Sequence, residues 1–108
     1  MSKGIGGMGN LLKQAQEMQA RITKVQEELA QKTVEGSAGG GMVQVTVNGQ
    51  LNVNTVKIDP TVINAEEKEM LEDLILAAVN DGMRKARDLA SNEMSKITGG
   101  FKIPGMTP

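Results

Sequence analysis

The sequence predicts an α+β chain in the order α-β-β-β-α, with two long helices flanking a three-stranded antiparallel sheet. Two chains are expected to join as a homodimer. Three observations carry this. Leu11, Ala15, Met18, Ile22, Val25 and Leu29 recur at alternating spacings of four and three, a heptad seam on one long helix. A central stretch, VQVTVNGQLNV (43–53), alternates apolar and polar residues about Asn48-Gly49. The 108 residues also include only one aromatic, Phe101, beside eight Met. Aromatics supply the largest blocks of buried area, so a second copy is expected to complete the core through a self-complementary interface.

Taken in order, residues 1–9 form a glycine-rich leader, expected to be flexible. Residues 10–98 form the single domain, with Asn10 as the expected N-cap of a helix running from about Leu11 to Gln31 or Lys32. Thr33, Val34 and Glu35 read as a short first strand. Val43, Val45 and Val47 mark the second, and Asn48-Gly49 predicts a tight hairpin with positive φ at both turn residues. Leu51 and Val53 begin the return strand. The alternation then slips by one before Val56 and Ile58, which predicts a bulge near Asn54. Asp59-Pro60 ends the sheet, and Asn64 with Glu67 resembles a capping box for the second helix. That helix is expected to run to about Thr98, with residues 71–79 buried on several sides and the part beyond Gly82 projecting or packing on one thin side. Residues 99–108 are expected to form a flexible tail.

Composition narrows the chemistry. The chain has no Cys and no His. Disulfides, the usual Cys/His zinc sites, a histidine base and a Ser-His triad are therefore excluded. No enzyme activity, cofactor, metal or small-molecule substrate is expected. No apolar run approaches the roughly 20 residues of a membrane span, and no basic-then-apolar signal sequence is visible. A cytoplasmic protein without membrane contact is the expectation.

Two glycine patterns invite a nucleotide reading, and context argues against both. Gly4, Gly6 and Gly9 have G-x-G-x-x-G spacing, but no strand precedes them and no βαβ unit follows. Gly39-Gly40-Gly41 leads into a strand, without a helix N-terminus to receive phosphate. It reads as a corner where residues lacking Cβ take positive φ. Glu66, Glu67, Glu69, Glu72 and Asp73 fit a solvated face with dipole-favoured acids better than a metal cluster.

Charge is blocked along the chain, although the formal net charge is only -1. Residues 1–33 carry five basic and three acidic side chains, and residues 82–108 carry five and two. Residues 59–81 set seven acids against Lys68 alone. The basic positions are Lys13, Arg21, Lys24 and Lys32 on the first helix and Arg84, Lys85, Arg87 and Lys96 on the second. On one chain they read as solvated helix faces. In a dimer every basic helix end is doubled, and paired positive helices can straddle a duplex and neutralise phosphates. The lack of aromatic platforms disfavours single strands.

Several ordered stretches carry a resemblance: GMGNLLKQAQEMQARITKVQEELA (7–30), the glycine run followed by VQVTVNGQ (43–50), VKIDP (56–60), EMLEDLILAAVNDGMRKA (69–86) and MSKITGG (94–100). Together they resemble the YbaB/EbfC family of nucleoid-associated proteins across nearly the whole chain. The resemblance implies a bacterial, cytoplasmic, nucleoid-associated homodimer shaped like tweezers. It also implies that its helical arms contact double-stranded DNA with little sequence preference, affecting chromosome organisation or gene expression. Carried onto matching positions, it implicates Lys13, Arg21, Lys24, Arg84, Lys85 and Lys96. Arg87 joins them from the basic cluster. The expected dimer core is Val43, Val45, Leu51, Val53, Leu71, Leu74, Ile75 and Ala78. The chain departs from the family pattern at Val79, where an aromatic is common, and at Gly82, where Ala is usual. Gly costs about 1 kcal/mol of helix propensity relative to Ala. A different reading makes the heptad-spaced first helix and the acidic 59–81 segment a scaffold for another protein.

Overall fold

The computed structural model describes the backbone of residues 2–98 and the side chains of residues 8–97. The order is α1 (Ser2–Gln31), β1 (Thr33–Ala38), β2 (Val43–Asn48), β3 (Val53–Ile58) and α2 (Lys68–Thr98), with short 3₁₀ turns between. This is the α-β-β-β-α arrangement expected. The tail expectation for 99–108 lies outside the described residues.

The sheet is antiparallel in the order β1-β2-β3. Gly39, Gly40 and Gly41 make the β1–β2 corner with φ of 63°, 66° and 95°, a conformation costly for residues with a Cβ. The valines of β2 are buried against α2, while Thr46 and Thr55 on the opposite face share a 2.7 Å hydroxyl hydrogen bond. Thr46 pairs with Thr55 but Val47 pairs with Val53, so Asn54 is the extra residue of a bulge. The slipped alternation located it correctly.

The hairpin differs from expectation. Leu51 has φ of 66°, and Gly49 is not among the positive-φ residues. Leu51 N–H donates to Asn48 O at 3.0 Å, and Asn48 N–H to Asn52 O at 2.9 Å. The connection is a three-residue loop, Gly49 to Leu51, with the left-handed residue last. The Asn48 carboxamide oxygen accepts from the backbone N–H groups of Gln50 and Asn52 and holds this loop. The reason for the difference lies in α1. Gly49 N–H donates to the carbonyls of Leu29 and Lys32, Asn48 Nδ2 to that of Ala30, and Gln50 Nε2 to that of Gln26. The hairpin thus satisfies the Leu29 and Ala30 carbonyls, among those the end of a helix leaves unpaired, and adds a second partner at Gln26. A Cβ on Gly49 would come within 2.6 Å of Leu29 Cδ2.

The helix boundaries also shift. Asn10 lies inside α1, not at its start. Once a helix has nucleated, each added residue gains a hydrogen bond, and this outweighs the poor propensities of Asn and Gly in the leader. Asn64 caps the 3₁₀ turn Ala65–Glu67 by accepting from Glu66 N–H at 3.0 Å, and α2 follows directly.

α2 crosses β1 and β2 at very close range. A Cβ on Gly36 of β1 would collide with Gly82 N and Ala78 O of α2, and one on Gly82 would lie 2.7 Å from Val47 Cγ2. Gly82 therefore lets helix and sheet backbones meet, which sets its packing role against its propensity cost. The core contains Val43, Val45, Val47, Ala78 and Ala86, flanked by the half-buried Leu71, Leu74, Ile75 and Val79. Beyond Gly82 the helix packs back on α1. Gln26 and Leu29 meet Ala90 and Met94, and Arg21, Lys24 and Val25 meet Glu93, Lys96 and Ile97, so the two helices run antiparallel. The molecule measures 78 × 27 × 16 Å, with a radius of gyration of 21.0 Å, against about 13 Å for a compact domain of this length.

Candidate nucleic-acid interface

The antiparallel helix pair forms a cleft lined by Arg21, Lys24, Val25, Glu28, Glu93, Lys96 and Ile97. Val25 and Ile97 supply its apolar lining. Cations on adjacent turns therefore stand at the rim, where long stems cover apolar surface and charged heads reach water. Three of the seven sequence-selected cations, Arg21, Lys24 and Lys96, come together here although 72 residues separate Lys24 from Lys96. Lys13 stands exposed farther along α1, and Arg87 is exposed on α2.

Two carboxylates gather four cations. Glu93 Oε1 accepts from Lys32 Nζ at 3.0 Å and from Lys96 Nζ at 3.3 Å. The hydrogen bond from Lys32, then that from Lys96, holds its carboxyl below the ordinary carboxylate range. Asp81 accepts from Ser37 N–H at 3.0 Å, pairs with Lys85 Nζ at 3.0 Å, and is bonded to Arg84. The Ser37 amide is the leading cause of its lowered pKa, followed by Lys85. Lys85 also donates to Glu35 O at 3.1 Å. Arg84 and Lys85 thus have partners within the chain and do not belong to the cleft. Their spacing of three and four from Asp81 is a sequence signal for this pairing.

In the sequence Lys32 is one of the basic residues of a solvated helix face, and Glu93 interrupts the apolar stripe of Ala86, Leu89, Ala90 and Ile97. That interruption was the available signal, because an acid on a stripe facing another helix needs a cationic partner. Among the described residues, no group of three carboxylates is arranged to hold a metal ion, and no helix is long and apolar enough to cross a membrane.

The expected dimer-core residues divide into three groups. Val43, Val45 and Ala78 are fully buried by their own chain, so they offer a partner no surface. Leu71, Leu74 and Ile75 are half-buried. Leu51 and Val53 are exposed.

The sequence profile of the YbaB/EbfC DNA-binding family matches residues 4–101. The chain belongs to the YbaB/EbfC DNA-binding family. Among its YbaB/EbfC relatives, it is 52% identical over 99 residues to the nucleoid-associated protein TTE0040 of Caldanaerobacter subterraneus subsp. tengcongensis, covering 92% of this chain and 89% of that one. It is 53% identical over 106 residues to a nucleoid-associated protein of Syntrophobacter fumaroxidans, covering 98% and 93%. Its fold is similar to the crystal structure of the uncharacterized protein HP0035 from Helicobacter pylori. The TM-score there is 0.71 and the identity 26%, over 85% of this chain and 94% of that one. The chain is thus a member of a DNA-binding family in which these two relatives are named nucleoid-associated proteins, and its α1–α2 cleft is the candidate interface.

Proposed function

We propose that two copies of this chain form a non-enzymatic homodimer that binds double-stranded DNA with loose sequence preference, and so shapes chromosome organisation or gene expression. The observation that carries the reading is the convergence of Arg21, Lys24 and Lys96, from two helices, at one exposed cleft on an elongated arm. Cations so placed neutralise phosphates. The cleft has no Asn or Gln to pair with adenine and no aromatic ring to stack on a base.

The dimer reading rests on β3. Val56 pairs in register with Val45 and points to the same sheet face, yet Val45 is 1% exposed and Val56 is 49% exposed. α2 packs chiefly on β1 and β2, and of β3 Ile58 reaches that core while Val53 and Val56 stay exposed, so this part of the face awaits a cover, and a second chain supplies it.

Fluorescence anisotropy with duplexes of unrelated sequence tests the function. Affinities are expected to agree across sequences and to fall roughly a hundredfold between 50 and 200 mM salt, as about four neutralised phosphates require. Affinity indifferent to salt, or confined to one sequence, contradicts the proposal.

A further inference from the structure

The cleft contains two acids, Glu28 and Glu93, and Glu93 is the one engaged by lysines. Glu93 takes both of its hydrogen bonds from ammonium groups, Lys32 from the end of α1 and Lys96 one turn along α2. Its side chain is only 14% exposed, whereas those of Lys32 and Lys96 are 44% and 73% exposed. The other charged groups at the cleft are Arg21, Lys24 and Glu28. Asp81 provides the contrast. It also holds two cations, but its oxygen accepts a backbone N–H from β1 as well, which makes it a structural tie between helix and sheet. Among the described residues, Glu93 has no backbone donor. Its partners are flexible side chains, each with three N–H donors on a rotatable head.

We propose that Glu93 stands in for a DNA phosphate. In the free protein it holds Lys96 in the cleft and Lys32 beside it, just past the end of α1. On binding, a phosphate oxygen replaces it as their partner. This rests on the duplex-binding reading above. The exchange sets one oxygen anion against another for the same donors, so Glu93 positions two lysines and at the same time restrains affinity. It keeps an elongated basic arm from holding DNA too firmly, and it accounts for a rim that is cationic in a chain of net charge -1. Glu93 is a positioning residue, because it touches the lysines and not the DNA.

Glu93→Gln tests this on the full chain. The amide keeps the shape and removes the charge. With one more uncompensated cation, the variant is expected to bind a duplex about tenfold more tightly at low salt, and the slope of log K against log salt is expected to steepen by about 0.9. Adding Lys32→Gln to Glu93→Gln is expected to return the slope to that of the wild type. A purely structural role for Glu93 would alter melting temperature or affinity without steepening the slope. Unchanged or weaker binding by Glu93→Gln, with the fold intact by circular dichroism, overturns the inference alone. A wild-type chain that shows no salt-dependent duplex binding overturns the functional reading, and this inference with it.

Discussion

Gly36 and Gly82 show how one atom fixes the distance between a helix and a sheet. A Cβ at Gly36 would meet backbone atoms of α2, which cannot rotate away, whereas one at Gly82 would meet valine methyl groups, which can shift a little. Overpacking of this kind costs typically 1–3 kcal/mol. Gly36→Ala is therefore expected to lower stability by about 3 kcal/mol in urea denaturation. Gly82→Ala is expected to cost less, because improved helix propensity offsets about 1 kcal/mol of its strain. Equal losses at the two sites would contradict this account. The sequence showed Gly82 only as a weak helix residue. Its partner lies 46 positions away in β1, and only the topology brings them together. Leu51 was hidden for a similar reason. Asn48-Gly49 satisfies the local pattern for a tight turn, but Gly49 is recruited to cap α1, and the positive φ moves to Leu51.

Elements were more legible than contacts. The alternation of Val43, Val45 and Val47 specifies a strand with one buried face, and the phase slip at Asn54 specifies its bulge, because a period of two tolerates no silent insertion. The heptad seam specifies α1 but not its start, since propagation through the leader depends on backbone hydrogen bonds that no side-chain pattern encodes. Nor could strand patterns show that α2 leaves Val53 and Val56 of β3 uncovered, because alternation names a buried face but not what buries it. Val56→Asp probes that strip. In a two-fold interface the change acts twice, and losing about 1.4 kcal/mol per valine amounts to roughly a hundredfold weaker dimerisation. Sedimentation equilibrium is expected to show this weakening. An unchanged dimer would move the interface elsewhere.

At the scale of the molecule, shape and charge act together. The acids Glu69, Glu72 and Asp73 lie in the first turns of α2, and Glu93 and Lys96 lie about 30 Å farther along it. On the proposed reading, the acidic end of the elongated molecule repels DNA and the basic cleft attracts it, which orients an approaching duplex toward the arm. The charge blocks were visible in the sequence. Which cations stay available was not, because Asp81 and Glu93 engage Arg84, Lys85, Lys32 and Lys96 through the folded structure. The cleft between α1 and α2 is the central claim, and the salt dependence of duplex binding by paired variants tests it most directly. Arg21→Gln with Lys24→Gln is expected to reduce the slope of log K against log salt by about two, while Arg84→Gln with Lys85→Gln leaves it nearly unchanged. The reverse pattern, a slope lost at Arg84 and Lys85 and kept at Arg21 and Lys24, would place the DNA on another face of the protein.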